Sequence, residues 1–386
     1  MDASSGLTAR RWTILASSVV SFFAVGATFF AIPPLVPELV LRYGLSQFRV
    51  GLLMGAISAP AILLSIPLGL GVDRWRPRAS GLAGLLLMGA GALAFAVAPS
   101  YSVLLVARLV FGVGGLMMNL LLARLISEAF HGRELSLAMG IFNAVYPASM
   151  IAVFTLHPWL LAHLGWRNEL VALAGLVALA IPLHLAAVPP ANDHRPARTG
   201  PAPPLPRPTL PLVALAVSWM LFFGAFASVF TFAPQWAGGG SRGLLVVTAV
   251  TWMSLLLNPA VGHLIDRTGN PTAWGVTGQL ILAAALAGMA LGWLPPLPAM
   301  LLVGLAAASV PTAAYSLPAR LVPATQVGFA FGFITAFSNL GTLAGPAAAG
   351  ALLDAGRGWP VTWLILAAIA ALGAIALVPT RGKMTT

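Results

Sequence analysis

Long apolar segments recur along the whole chain, and they constrain its fold more than any other feature. The sequence contains twelve of them, each near the length of about 20 residues that a helix needs to cross the hydrocarbon core of a bilayer. Of the 386 residues, 59% are hydrophobic and only 8% are charged, which is too apolar for a surface that faces water. The chain is therefore predicted to be an all-α integral membrane protein, and a soluble enzyme, a disordered chain and a nucleic-acid-binding domain are excluded as descriptions of the whole. The predicted spans lie at about 12–34, 49–70, 79–98, 101–123, 135–159, 168–188, 210–233, 244–265, 272–293, 298–319, 327–352 and 360–379.

The basic residues indicate how the chain is oriented in the membrane. The net charge is +11, but the twenty Lys and Arg residues are scattered between the spans and do not form one patch. If the amino terminus is cytoplasmic, fourteen of them lie on the cytoplasmic side, five lie on the outer side, and Arg108 lies within a span. An excess of basic residues is typical of cytoplasmic loops. We therefore predict a multi-pass protein of the cell membrane (inner or plasma membrane) with both termini cytoplasmic and no nucleic-acid partner.

One connection differs in composition from all the others. Residues 189–209, PPANDHRPARTGPAPPLPRPT, are rich in Pro and predict a semi-extended cytoplasmic linker. The linker falls between the sixth and seventh spans. It divides the chain into a predicted amino-terminal six-helix bundle, residues 1–188, and a carboxyl-terminal six-helix bundle, residues 210–386.

The two predicted bundles share landmarks at a constant offset. The loops after the second and eighth spans both read G-x-x-x-D-R, and their aspartates, Asp73 and Asp266, are 193 positions apart. Gly-Trp pairs that begin at positions 165 and 358 have the same offset. Two unrelated landmarks at half the chain length indicate an internal duplication, which is typical of transporters.

These motifs resemble those of the major facilitator superfamily (MFS), and the resemblance covers nearly the whole chain. The family signature G-x-x-x-D-R-x-G-R-[RK] is followed in the first copy except at Arg76 and Pro77, and the second copy has Asn270 and Pro271 in place of the basic pair. The fourth span carries R-x-x-x-G-x-G, beginning at Arg108. The resemblance implies twelve transmembrane helices in two pseudo-symmetric six-helix bundles, and a secondary carrier that works by alternating access.

The same resemblance implies a conformational latch at the cytoplasmic face. The Gly of each G-x-x-x-D-R copy lets two helices approach closely, and the Asp can accept hydrogen bonds from a helix N-terminus in the opposite half. Such a latch stabilises the outward-open state. The alternative is that the basic residues only orient the loop. The predicted latch residues are Gly69, Asp73, Arg74, Arg78, Gly262, Asp266, Arg267 and Gly269.

Arg108 is the only charged residue well inside a predicted span. Burial of a charge in the membrane is costly, so this side chain should face a cavity or a partner. Three roles are open: contact with an anionic substrate, a part in proton movement as the family motif suggests, or hydrogen bonds to backbone carbonyls of a neighbouring helix. No Asp or Glu lies in the middle of a predicted span. This absence weakens the case for a proton antiporter driven by a membrane-embedded carboxylate, and it leaves uniport, exchange, or symport of an anion with protons carried elsewhere.

The eleventh span carries the run G-x8-G-x3-G-P-x3-G, which begins at Gly332. This spacing resembles a motif that antiporter members of the family carry in helix five. Because it lies here in the helix at the equivalent place of the other half, we interpret it as a close-packing surface and a hinge.

The substrate cavity of such a carrier is expected at the midplane between the two halves. The candidates contribute amides, aromatic rings and one positive charge, a set that suits a small, moderately polar or anionic organic solute. They are Arg108, Asn143, Tyr146, Trp219, Phe222, Trp252, Asn258, Tyr315, Ser338 and Asn339.

We favour transport of a small organic anion among the functions that remain open. The alternative is export of amphipathic compounds such as drugs, and a non-transporting membrane receptor on the same fold is less favoured. No phosphate-binding loop, HExxH or nucleophile elbow occurs in a suitable context, so no enzyme activity, cofactor or metal site is expected. The expected partners are the solute, with protons as a further candidate, and the lipid bilayer, and the chain is expected to be a monomer.

Overall fold

Every regular element in the described part of the chain is a helix. The computed structural model describes residues 3–71, 76–130, 134–188, 190, 206–323 and 326–382. Eleven helical stretches in these ranges are long and apolar enough to cross a membrane. The prediction of an all-α membrane protein is therefore confirmed. The helices are α1 (Ala3–Phe30), α2 (Ile32–Tyr43), α3 (Gln47–Gly55), α4 (Ala59–Gly71), α5 (Pro77–Ala96), α6 (Tyr101–Ala129), α7 (Leu135–Ala187), α8 (Leu210–Trp236), α9 (Gly240–Thr268), α10 (Pro271–Ala290), α11 (Pro296–Ser316), α12 (Pro318–Leu321), α13 (Val327–Asp354) and α14 (Gly358–Ala376), with short 3-10 helices at Ala56–Ser58 and Val378–Gly382.

Helix α7 contains two of the predicted spans. It runs for 53 residues, but Gly165 interrupts it with φ 73° and ψ 158°. A side chain makes this conformation very unfavourable, so glycine is needed at the turn. The turn separates the predicted spans at about 135–159 and 168–188. Because α7 contains two predicted crossings, the eleven apolar stretches account for all twelve.

The first span is broken where prolines follow one another. Helix α1 ends at Phe30 and α2 begins at Ile32, directly before Pro33 and Pro34. Proline has no N–H, so it cannot donate to the carbonyl four residues earlier. Helix α2 then continues to Tyr43, well beyond the predicted end of the span near residue 34.

The first compact unit, unit 1, comprises Met1–Ala31 and Pro67–Pro203. In it α1 packs on α7, and α5 packs on both α6 and α7. Glycines allow the α5–α6 approach: a Cβ added at Gly114, within the R-x-x-x-G-x-G motif, would lie 2.5 Å from the carbonyl oxygen of Gly84. Small residues that bring helix backbones together are typical of membrane interfaces.

The second compact unit, unit 2, comprises Ile32–Ile66 and Pro204–Thr386. Helix α13 packs on α8 and also on α3, and α10 packs on α11 and α14. A Cβ at Gly345, in the glycine run of the eleventh span, would lie 2.1 Å from the carbonyl oxygen of Gly224 on α8. That part of the run is therefore a backbone-to-backbone packing surface. The division into bundles at 1–188 and 210–386 stays a prediction, and most of the linker lies outside the described residues.

Candidate functional site

Arg108 of α6 is buried in unit 1, with 2% of its surface exposed. Its Nη1 atom donates to the carbonyl oxygen of Thr28 at 2.6 Å, and its Nη2 atom donates to that of Phe29 at 3.4 Å. Both acceptors lie in the last turn of α1. Among the three roles considered for Arg108, the structure thus shows the hydrogen bonds to a neighbouring helix.

The proline pair explains why one of these carbonyls is available. The carbonyl of Phe29 would ordinarily accept the N–H of residue 33, and residue 33 is proline. A carbonyl that loses its helical donor inside a membrane protein needs another one. Arg108 supplies it, and the planar guanidinium can serve two acceptors at once.

Tyr146 of α7 lies beside the same end of α1. Its ring centroid is 5.1 Å from that of Phe30 and 5.9 Å from that of Phe29. Phe29 is a shared neighbour, since its carbonyl oxygen accepts from Arg108 and its ring packs beside Tyr146. Arg108 and Tyr146 therefore belong to one group, whereas Asn143, one turn earlier on α7, has an exposed side chain.

Trp219 and Tyr315 form a second group, which lies in unit 2. Their ring centroids are 5.6 Å apart in an edge-to-face arrangement, and Tyr315 also stacks on Phe331 at 6.1 Å. Trp219 is 3% exposed and Tyr315 is 58% exposed. Phe222 packs on Trp219 but is fully buried, so a solute can reach Tyr315 more readily than the other two rings.

The remaining candidates of unit 2 are placed less favourably for binding. Ser338 and Asn339 both donate to the carbonyl oxygen of Thr335 on their own helix, each at 2.8 Å. Trp252 and Asn258 are exposed on α9, and in the described part of the chain Trp252 shares none of the ring contacts of the Trp219 group.

The first copy of the predicted latch lies largely outside the described residues. Asp73 and Arg74 fall in the undescribed range 72–75, and Gly69 lies near the end of α4. Arg78 donates to the carbonyl oxygens of Leu185 and Val188, which ties the start of α5 to the end of α7. The latch role of these residues stays a prediction.

The second copy is fully described and ends helix α9. Asp266 and Arg267 are exposed in its last turn. Gly269 follows with φ 64°, a left-handed C-terminal cap that glycine adopts most easily. The carbonyl oxygen of Gly269 accepts a 2.9 Å hydrogen bond from Nη1 of Arg320. The glycine of this motif copy therefore has a local structural role.

A cavity of about 560 Å³ lies next to this second copy. Because it is formed at the ends of helices, its position differs from the expected midplane cavity. Its polar lining residues are Thr268, Asn270, Thr272, Arg320 and Thr380.

The glycine run of the eleventh span was predicted to be a close-packing surface, but sequence reasoning did not identify α3 as one of its partners. A Cβ at Gly51 would lie 2.1 Å from the carbonyl oxygen of Pro346, and a Cβ at Gly350 would lie 2.1 Å from that of Gln47. At the end of the contact, the carboxylate of Asp354 accepts hydrogen bonds from the first N–H groups of α3. In the sequence, this contact could have been suspected only from the glycines and from the aspartate that follows the glycine run.

A buried pair of titratable side chains was also missed. Nδ1 of His157 and Oε1 of Glu169 lie 2.8 Å apart across the turn of α7, and each residue is 4% exposed. The second carboxylate oxygen, Oε2, is buried and has no hydrogen-bond partner among the described residues. In the sequence, the pair could have been suspected only from the position of the two residues on either side of Gly165, twelve positions apart. In the described part of the chain, no three His, Cys, Asp or Glu side chains converge as metal ligands.

Curated relatives are transporters that match part of the chain. It is 28% identical over 153 residues to the lysosomal dipeptide transporter MFSD1 of Gallus gallus, which is 40% of this chain and 33% of that protein. It is 26% identical over 147 residues to the uncharacterized MFS-type transporter YhcA of Bacillus subtilis (strain 168), which is 38% of this chain and 27% of that protein. The chain therefore spans about a third or less of the length of these relatives.

Two solved structures share the fold over nearly the whole chain. The nucleoside transporter NupG superposes with a TM-score of 0.77 at 12% identity, covering 96% of this chain and 100% of that one. The human organic anion transporter MFSD10 (TETRAN) superposes with a TM-score of 0.68 at 17% identity, covering 95% of this chain and 99% of that one. At these identities the likeness shows the fold alone.

The family model described as Major Facilitator Superfamily matches residues 18–245 and 239–384. Together with the twelve crossings and the two solved structures, this match confirms the predicted fold class and the predicted family. Fold and relatives are those of a membrane transporter rather than of an enzyme. The chain belongs to the Major Facilitator Superfamily.

Proposed function

We propose that this protein is a secondary carrier that moves a small organic solute across the cell membrane by alternating access, with both termini in the cytoplasm. The observation that carries the proposal is the grouping of α2 and α3 with the carboxyl-terminal helices in unit 2. These helices follow the first span in sequence, yet α3 packs tightly on α13. A contact between the two sequence repeats at one end of the helices is what a carrier closed at that end requires.

The candidate side chains support an organic solute with an amide, a ring or a carboxylate. Tyr146 and Tyr315 offer aromatic faces, and Asn143 offers an exposed amide. Arg108 carries a positive charge within the spans, but it is buried and its guanidinium is bound to the α1 carbonyls, so it favours an anionic group on the solute through its electrostatic field and not through direct contact. We therefore propose organic anions as the preferred class. Short peptides, which combine amides with a carboxylate, are the next class because a relative is a dipeptide transporter.

The test is counterflow in proteoliposomes that contain the purified full chain. The panel comprises organic anions, dipeptides, nucleosides and lipophilic cations, each tested against its unlabelled form inside the vesicle. We expect saturable counterflow of at least one organic anion and none of the lipophilic cations. Ligand-dependent thermal stabilisation without counterflow of any compound would instead indicate a receptor and contradict the carrier.

Export of amphipathic compounds is a second candidate function, which one observation favours. Phe222, Phe226 and Phe230 form a ladder of rings along α8, with centroid distances of 5.1 Å and 4.6 Å between successive members. Phe222 and Phe230 are buried and Phe226 is partly exposed, so Phe226 is the ring of this ladder that an amphipathic solute can contact. Counterflow of the lipophilic cations but not of the anions would favour this alternative.

A further inference from the structure

The N-terminus of α3 is capped by the last residue of α13. The Gln47 N–H donates to Oδ1 of Asp354 at 2.8 Å, and the Phe48 N–H donates to Oδ2 of the same carboxylate at 2.8 Å. Ser46, the residue before the helix, accepts the N–H of Arg49 at 3.3 Å. One local acceptor and one distant acceptor thus share the first N–H groups of the helix.

The distant acceptor has a favourable electrostatic position. A helix begins with N–H groups that have no acceptor within the helix, and its dipole places partial positive charge there. A carboxylate that accepts two of these N–H groups makes charge-assisted hydrogen bonds, which are stronger than neutral ones. Asp354 therefore adds attraction to the contact that Gly51 and Gly350 make close.

The two partners come from different sequence repeats. Asp354 is separated from Gln47 and Phe48 by 307 and 306 positions, so the contact forms only when the ends of α3 and α13 meet. In contrast, the bond between Ser46 and Arg49 spans three positions and survives any movement of α3 as a whole. The first contact therefore requires α3 and α13 to lie together, and the second does not.

We propose that Asp354 is a latch that stabilises the conformation closed at the α3–α13 end, which is predicted to be the outer face, and that its two hydrogen bonds break when that end opens. This inference rests on the proposed alternating access. The latch is distinct from the predicted G-x-x-x-D-R latch, since it lies at the opposite ends of the spans and holds the opposite state.

The test measures the closed and open populations directly, without substrate. Because the chain has no cysteine, Leu41→Cys and Arg357→Cys place two nitroxide labels at exposed positions near the ends of α2 and α13. Electron-electron double resonance on the full chain in lipid nanodiscs then gives the distance distribution. The variants are Asp354→Asn, Gln47→Pro, the combination of both, and Ser46→Ala as the matched control.

Gln47→Pro removes a donor while keeping the helix. Gln47 is the first helical residue, where proline is well tolerated, and Ser46 already has the extended conformation, with ψ 161°, that the residue before proline prefers. We expect Asp354→Asn to raise the ratio of the longer to the shorter distance population about fivefold, a magnitude reduced by solvent screening at an exposed carboxylate. Gln47→Pro should act in the same direction, and the combined variant should exceed Asp354→Asn only slightly.

Two results would overturn the latch. One is an unchanged distance distribution in Asp354→Asn, and the other is an equal shift in Ser46→Ala, which would attribute the effect to the helix end alone. Failure of the proposed function is distinguishable, because it would appear as absent counterflow while the distance distributions still respond to Asp354→Asn.

Discussion

Nη1 of Arg108 on α6 lies 2.6 Å from the carbonyl oxygen of Thr28 on α1. This bond joins the one charged residue well inside a span to the helix end that the Pro33-Pro34 pair interrupts. Arg108 thereby stabilises the broken end of α1. Substitutions of Arg108 can distinguish the contribution of its charge to transport from that of its hydrogen bonds.

We expect Arg108→Ala to lower the initial rate of solute counterflow about tenfold or more, since the α1 carbonyls lose a charged donor inside the membrane. Arg108→Lys keeps the charge but loses the planar fork, so it should restore only part of the rate. The control is Arg242→Ala, at an exposed position at the start of α9. Unchanged saturation kinetics in Arg108→Ala would reject a role of Arg108 in transport.

Pro33→Ala restores a donor for the carbonyl of Phe29. The new N–H competes with Nη2 of Arg108, so α1 and α2 should become more continuous and gain one helical hydrogen bond. We expect a higher unfolding temperature together with slower counterflow, because a more continuous helix resists rearrangement at the break between Phe30 and Ile32. Pro37→Ala, inside α2, restores an N–H that does not compete with Arg108. Equal effects of both substitutions would contradict a specific role for the Phe29 carbonyl.

Gly345→Ala should destabilise the packing of α13 on α8. Its Cβ would lie 2.1 Å from the carbonyl oxygen of Gly224, so one backbone must shift. Overpacking typically costs about 1–3 kcal/mol, and we expect the unfolding temperature in detergent to fall by about 5 °C. Gly328→Ala, on the same helix with open space around it, should leave the temperature unchanged. A similar fall for both glycines would argue against the close contact.

The buried His157–Glu169 pair should show strong energetic coupling. Removal of one partner leaves the other buried and unpaired, so Glu169→Ala and His157→Ala should each lower the unfolding temperature. The double variant should lose less than the sum of the two, with a coupling energy of about 1–3 kcal/mol in a double-mutant cycle. His163→Ala is the control, since His163 is exposed and contacts the Trp159 carbonyl of its own helix. Strict additivity would show that the two side chains do not interact.

The motifs predicted a family more reliably than they predicted individual roles. The second G-x-x-x-D-R copy marked a helix end correctly, but Gly269 there has the local task of ending α9 in a left-handed cap. Arg108 was identified as a buried charge that needs a partner, and its partners are backbone atoms, which have no signature in a sequence. Glu169 lies at the start of the predicted sixth span, and the turn at Gly165 buries it against His157.

The sequence by itself determined that this protein crosses a membrane twelve times. A bilayer of defined thickness requires a certain length and apolar composition of each helix, and both can be read directly from the sequence. Its motifs also identified the family. Only the tertiary structure decided which end of α13 meets α3 and that Asp354 caps Gln47 and Phe48 there. That contact joins residues about three hundred positions apart through backbone N–H groups, which every residue except proline carries, so no local pattern could specify it.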